Sequence, residues 1–320
     1  MHSRIRRLTP VAAALALMLT ACAEPQSAPP QPSGPTPASS AARTHQPASA
    51  DVSTVIRNLE QRFDARVGVS AFDTETGATM SYRGSERFGF ASTLKAFAAA
   101  EFLRQTSTED RDELVRWTRS DIDRAGYSPV TTENLDTGLT AAELAEAAVR
   151  ESDNTALNLV LDRIGGPEGL DDALELLGDA TTEVVNYEPE LNTITSGSID
   201  DTTTADAFTE SMTALQQTSY STSSNRSILL DWMSGNKTGD PLVRAGAPAG
   251  WVVADKSGGA GPIRNDIAVV TPPERSAVVI TILTEKNDPA AQFDNELVSE
   301  TAAVVLHAIE VGASGGQPDR

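Results

Sequence analysis

Cysteine is almost absent from this chain. Cys22 is the only one among 320 residues, so no disulfide can form within the chain and no cysteine-based metal site can be built. Histidine is nearly as scarce. His2 and His45 lie near the N-terminus, outside the region with folded character, which leaves His307 on an expected helix. A zinc centre built on several histidines is excluded. No metal and no cofactor is expected, and acid–base work must fall to Lys, Glu, Asp, Tyr or Ser. Aromatic residues make up only 5% of the chain, so its core should be mostly aliphatic. Basic residues are also in deficit: 25 Lys and Arg stand against 45 Asp and Glu, a formal charge of −20. Such a chain is repelled by nucleic acid and by anionic lipid, and no nucleic-acid partner is expected. The global acidity leaves a local basic pocket possible.

The two ends differ from the middle. Arg4, Arg6 and Arg7 precede an apolar stretch from Pro10 to Leu19, too short to span a bilayer comfortably and typical of an export signal. Leu19-Thr20-Ala21-Cys22 resembles the bacterial lipoprotein cleavage box. Residues 1–21 are therefore expected to be a signal peptide, with a lipid on Cys22 as the sole membrane contact. Residues 22–50 are rich in Pro, Ser and Ala, and Pro25, Pro29, Pro30, Pro32, Pro35 and Pro37 forbid regular helix or sheet. They are expected to form a tether to an exported, extracytoplasmic domain. The stretch 312–320 is Gly-rich and expected as a frayed tail.

Between these ends the pattern is that of an α+β domain over residues 51–311. Asp51 is expected to cap a helix carrying Val52, Val55, Ile56, Leu59 and Phe63 at helical spacing. Arg66 to Asp73 and Ala78 to Arg83 alternate as strands around a turn at Thr74–Gly77. Trp251 to Lys256, Ile267 to Thr271 and Ala277 to Thr284 read as three more strands, with Gly258–Gly261 and Pro272-Pro273 breaking the chain between them. Ala290 to Val311 reads as a long terminal helix. Two strands cannot make a stable sheet alone. One antiparallel sheet of five strands, with the N- and C-terminal helices packed on it in an α/β sandwich, is the economical solution. The mostly helical text from about 90 to 235 is then an insertion, and the groove between the two regions is a natural site. No internal repeat is visible, and a monomer is expected.

Four clusters carry chemistry. Ser92-Thr93-Leu94-Lys95 opens an apolar helical run. A serine at a helix start is ordinarily a cap, but three residues is about one helical turn. That spacing sets Lys95 beside Ser92, where a buried amine can draw off the hydroxyl proton. Free N–H groups at the start of the run suit a developing oxyanion. Ser152-Asp153-Asn154 begins another helical run, with more polar groups than a cap needs. Glu188-Pro189-Glu190-Leu191-Asn192 lies in a long loop, where Glu188 and Asn192 have the chemistry to share a water; an acidic solvated loop is the plain alternative. Lys256-Ser257-Gly258-Gly259 ends a strand. Its glycines admit close approach of a ligand, Lys256 and Ser257 suit a carboxylate, and Gly259 offers a backbone N–H. A hairpin turn with one edge lysine is the plain alternative.

Together the four form the trio Ser-x-x-Lys, Ser-Asp-Asn and Lys-Thr-Gly-type with a loop glutamate, and the chain resembles class A β-lactamases. Further matches are Tyr127-Ser128-Pro129-Val130, Ile164-Gly165-Gly166-Pro167, Asp201-Thr202-Thr203, Asp231-Trp232-Met233 with Gly235-Asn236, and Arg244-Ala245-Gly246. The resemblance covers residues 51–311. It implies Ser92 as nucleophile toward a β-lactam carbonyl, with the N–H groups of Ser92 and Gly259 as oxyanion hole. It implies Lys95 and Glu188 as alternative acylation bases, Ser152 as proton donor to the lactam nitrogen, and Glu188 with Asn192 holding the hydrolytic water. Asn154 would position the side-chain amide of the substrate and Asn158 steady Glu188. Lys256, Ser257 and Arg264 would bind the substrate carboxylate, with Tyr127 as one wall. A wall-peptide peptidase of related fold would share Ser92, Lys95, Ser152 and Lys256 but lack the loop glutamate. A non-catalytic binder of wall fragments would need none of the proton-transfer groups.

Three departures from the family pattern stand out. Asn186 replaces the usual arginine that pairs with the aspartate matching Asp201, so a looser loop around Glu188 is expected. The turn before Arg264 is one residue short. Ser257 replaces the more frequent threonine and keeps its hydroxyl.

Overall fold

The computed structural model describes residues 49–217 and 219–315. The expected signal peptide, Cys22, the linker up to residue 48 and residues 316–320 lie outside them. Among the described residues no helix is long and apolar enough to cross a membrane.

The first helix, α1, is Ala50–Phe63. Its cap is Ser49, whose hydroxyl accepts from the Val52 N–H, so the expected cap at Asp51 is displaced. Asp51 falls instead in the first turn, where its negative charge suits the exposed N–H groups. Asp64, in the left-handed region at φ 46°, ends the helix and turns the chain into β1, Ala65–Asp73. β2 is Thr79–Tyr82. After the helical region come β3, Val252–Ala260, β4, Ile263–Thr271, and β5, Val278–Lys286. The sheet is antiparallel throughout in the order β2-β1-β5-β4-β3. It is the expected five-stranded sheet, and the fold class is α+β.

The boundaries of β3 and β4 differ from those read in the sequence. Gly258 and Gly259 do not break the chain. They stay in register, Gly258 opposite Asn265 and Gly259 opposite Arg264, and the reversal occurs at Gly261-Pro262. Glycine costs a strand side-chain packing, but ladder bonds on β4 carry the segment. The terminal helix, α4, also differs. It runs Asn295–Gly315, so residues 287–294 form a connection and the helix continues into the expected tail.

Both faces of the sheet are covered. On one face Val52, Ile56 and Leu59 of α1 and Leu297, Val298 and Val305 of α4 pack on Val67, Val69, Ala71, Ile280 and Ile282. Each such aliphatic chain removed from water contributes roughly 1.5–3 kcal/mol. The other face meets the helix Ala205–Gln217, whose Thr209 hydroxyl lies within hydrogen-bond distance of Ser70 O, at 3.2 Å, and of Thr281 Oγ1, at 2.9 Å. That cover explains why eight of the nine residues of β1 are buried.

The helical region surrounds α2, Lys95–Gln105. Ala96 through Leu103 are buried on every face of α2, as in a helix at the centre of its own core. Leu144, Leu157, Leu161 and Phe208 pack about it. A second helix of this region, α3, is Asn154–Ile164. A short strand pair missed in the sequence, Arg87–Gly89 with Thr202–Thr204, ties the end of the long loop to the approach to Ser92.

Candidate active site

Ser92 does not cap a helix. It sits in a 3-10 turn, Ala91–Leu94, just before α2. Ala91 is held at φ 47°, a strained value for a residue with a Cβ. The turn is over-determined by its neighbours. Asn265 Nδ2 donates to Gly89 O at 2.8 Å and to Phe90 O at 3.2 Å, and the Thr93 hydroxyl donates to Phe90 O at 2.6 Å. β3 presses on the turn from the other side. A Cβ on Gly258 would lie 2.9 Å from Phe90 O and 3.1 Å from Ser92 N, so only glycine allows this approach.

The second cluster begins in another strained residue, Ser152 at φ 56°. Asp153, not Ser152, caps α3. Its Oδ1 accepts from Ala156 N at 2.8 Å, and its Oδ2 accepts from Val130 N and Thr131 N. Freed from capping, Ser152 turns its hydroxyl toward two amines. Lys256 Nζ lies 3.1 Å from Ser152 Oγ and Lys95 Nζ 3.4 Å from it. Asn154 donates to Ala125 O at 3.0 Å, which fixes its Oδ1 toward Lys95.

Lys95 is fully buried. Its Nζ donates to Asn154 Oδ1 at 2.6 Å and to Ser152 O at 2.8 Å, and pairs with Glu188 Oε1 at 3.1 Å. An ammonium has three N–H donors, and these three acceptors occupy them. Burial pushes the Lys95 pKa down, while the Glu188 carboxylate works against that shift. Lys256, also fully buried, is pushed well below its ordinary value by burial first and by the charge of Lys95 second.

Glu188 is delivered by the long loop and is buried. Its backbone is clamped by one side chain: Asn158 Nδ2 donates to Glu188 O at 2.9 Å and Asn158 Oδ1 accepts from Glu188 N at 3.0 Å. Its carboxylate is divided between two tasks. Oε1 accepts from Ser92 Oγ at 3.3 Å and meets Lys95, whereas Oε2 accepts from Asn192 Nδ2 at 2.6 Å. Asn192 Oδ1 is buried with no protein partner, which leaves an acceptor beside the carboxylate. The Asn186 side chain donates to Asp201 Oδ2 at 2.6 Å, and Val185 N and Asn186 N donate to Oδ1 at 3.0 and 3.1 Å.

The walls complete a cavity of about 310 Å³. Ser92, Ser152, Asn154, Glu188, Asn192, Ser257, Gly259, Arg264 and Tyr127 all line it. Tyr127 is 60% exposed and stands at the rim. Lys95 and Lys256 lie beneath the floor. Ser257 Oγ is 2.6 Å from Thr238 Oγ1, and Arg264 donates to Thr238 O at 3.0 Å. Two wall residues, Thr238 and Phe293, escaped the sequence reading. Thr238 lies in irregular chain, and Phe293 fell inside a stretch read as helix. Among the described residues no cluster of His, Cys, Asp and Glu fits a metal ion. The site joins a nucleophile, a proton acceptor and two buried amines in one groove.

The model of a family described as the β-lactamase enzyme family matches residues 51–309. A β-lactamase from Bacillus amyloliquefaciens is 47% identical over 249 residues, covering 78% of this chain and 81% of that one. One from Bacillus subtilis is 45% identical, covering 79% and 82%. Among solved structures, a class A β-lactamase from Clostridium kluyveri superposes with a TM-score of 0.78 at 41% identity, covering 81% of this chain and 99% of that one. The chain belongs to the class A β-lactamase family. Its enzymatic class is β-lactam hydrolase, and the groove around Ser92 is where the residues expected for that chemistry converge.

Proposed function

We propose that the enzyme opens β-lactams by a two-step acyl transfer. Ser92 Oγ attacks the lactam carbonyl carbon, and its proton passes to Glu188 Oε1. The C–N bond breaks, and the ring nitrogen takes a proton from Ser152 Oγ, which is resupplied through Lys95 by the proton held on Glu188, so that Glu188 is a carboxylate again. A water then attacks the ester carbon and gives its proton to the Glu188 carboxylate, which passes it to Ser92 Oγ as the ester C–O bond breaks and the ring-opened acid leaves.

One observation carries the reading. A single carboxylate reaches both the nucleophile and the neighbouring lysine, with its second oxygen held by Asn192. Ser92 Oγ is within hydrogen-bond reach of Glu188 Oε1, whereas the contacts of Lys95 Nζ go to Asn154, Ser152 and Glu188, which favours Glu188 as the acylation base. The unpartnered Asn192 Oδ1 supports the water step, since a water donating to it and to Glu188 is held at two points. The N–H groups of Ser92 and Gly259 form the oxyanion hole. Ser257 and Arg264 bind the substrate carboxylate with Lys256 supporting them from beneath the floor, Asn154 takes the acylamino side chain, and Tyr127 walls the entrance.

The decisive experiment is mass spectrometry with a penicillin. Ser92→Ala should form no adduct, and Glu188→Ala should hold one for minutes. An adduct on Ser92→Ala, or rapid turnover by Glu188→Ala, would overturn the mechanism. Export and lipid attachment at Cys22 are proposed alongside it. Cys22→Ser should abolish incorporation of labelled fatty acid and move the enzyme from the membrane fraction to the medium; unchanged fractionation would refute the anchor.

A further inference from the structure

Phe293 has no counterpart in the chemistry just described, yet it stands in the wall of the cavity beside Gly259 and Arg264. It is half-buried and belongs to none of the three apolar cores. Its backbone is fastened to the rim: Phe293 N donates to Gly261 O at 3.0 Å, at the reversal between β3 and β4. Lys286 N donates to Pro262 O at 3.1 Å, so the connection 287–294 is tied to the same turn at both ends.

This fastening places the ring against Arg264. The guanidinium carbon lies 4.8 Å from the centre of the Phe293 ring. Register already sets Arg264 across from Gly259. Three other contacts define the guanidinium. Nε donates to Asn295 Oδ1 at 2.8 Å, Nη2 donates to Thr238 O at 3.0 Å, and Nη1 faces Gly259, where a Cβ would come within 2.9 Å of it. Phe293 Cε1 lies 3.3 Å from that same point. The Arg264 side chain is thus held at its Nε and Nη2 edges by acceptors, its guanidinium carbon lies over an aromatic ring, and its Nη1 lies beside Gly259, which lines the cavity. A guanidinium stacked on a ring keeps its in-plane donors free.

We propose that Phe293 is a positioning residue for Arg264, aiming Nη1 at the substrate carboxylate, and that its ring walls the pocket beside that carboxylate. The inference rests on the reading of Arg264 as a carboxylate-binding residue. Phe293 therefore governs recognition of the anionic group and leaves the acyl-transfer steps at Ser92 untouched.

The experiment compares the free acid and the methyl ester of one penicillin. Phe293→Leu keeps apolar volume and removes the ring. KM for the acid should rise about fivefold, the order of one cation–π contact, with kcat within about twofold and KM for the ester unchanged. Phe293→Tyr should restore the acid KM. Equal shifts for acid and ester, or no shift for the acid, would overturn the proposal, and Phe293→Met serves the same comparison if the leucine variant fails to fold. Arg264→Ala separates the two layers. If it does not discriminate acid from ester, the carboxylate role of Arg264 fails; if it does while Phe293→Leu is silent, the role of Phe293 alone fails.

Discussion

Ser92 Oγ and Glu188 Oε1 stand 3.3 Å apart although 96 residues separate them in the chain. Neither is brought there by its own element alone. Ser92 is fixed by Asn265 and the approach of Gly258 to its turn, and Glu188 by the two-point clamp of Asn158.

The first prediction concerns that clamp's cargo. Glu188→Gln keeps the shape of the side chain but cannot accept a proton. Turnover of a penicillin should fall by about 10²–10⁴, the range of a general base, with acyl-enzyme visible in the intact mass. A loss under tenfold would assign the proton transfers elsewhere.

Gly258 tests how closely β3 must approach. The Cβ of Gly258→Ala would meet only backbone atoms: Phe90 O, Thr93 N and Ser92 N at 2.9–3.1 Å. Backbone cannot swing aside, so the nucleophile turn must shift. A displacement near 1 Å costs about 10² in rate, and kcat should fall by that order. At Gly259 the nearest atom is Arg264 Nη1, a side-chain tip and not backbone. Gly259→Ala should therefore act mainly on KM, and equal kcat losses for the two variants would count against this account.

The loop that carries Glu188 is pinned through Asp201, which is buried and has no cation paired with it among the described residues. Its carboxylate relies on Asn186 and two backbone N–H groups. Asn186→Ala removes a hydrogen bond to a charged group, worth about 1.5–3 kcal/mol. Hydrogen exchange across residues 185–201 should quicken by about 10–100-fold. Asn186→Arg should slow it below the parent rate. Unchanged exchange in both variants would show that the loop is held by something else.

Asp266 should give a pH signature. It is fully buried with Oδ1 unpartnered, and burial, followed by the nearby Asp255 carboxylate, pushes its pKa well above the ordinary value; Val243 N–H, Arg264 and Lys256 oppose that. An acid whose folded pKa is raised contributes stability below the unfolded pKa, near 3.9, and loses it as pH rises toward the folded value. Asp266→Asn carries no such penalty. Its Tm should match the parent at pH 4 and exceed it by roughly 3–6 °C at pH 8. A gain that is the same at both pH values would rule out ionisation as the cause.

Much of this was legible in the chain. The alternation of Val67, Val69 and Ala71 and the spacing of Ile56 and Leu59 reported the sheet and its cover, because side-chain period follows directly from backbone geometry. The site residues Ser92, Lys95, Ser152, Glu188 and Lys256 were visible as motifs, and all meet in one groove or directly beneath it. Local signals failed where a neighbour outvoted them. Gly258-Gly259 reads as a break until β4 supplies a partner strand, and Asp51 reads as a cap until Ser49 reaches the Val52 N–H first.

The order of residues thus determined which chemical groups the molecule owns and which secondary elements carry them, since both depend on composition and short-range periodicity. Only packing decided that Lys95 spends its donors on Asn154, Ser152 and Glu188, that Asp153 takes the capping role and frees the Ser152 hydroxyl, and that Phe293 lies across Arg264. Those pairings join segments distant along the chain, and their distances are set by how the sheet, α2 and the long loop close on one another.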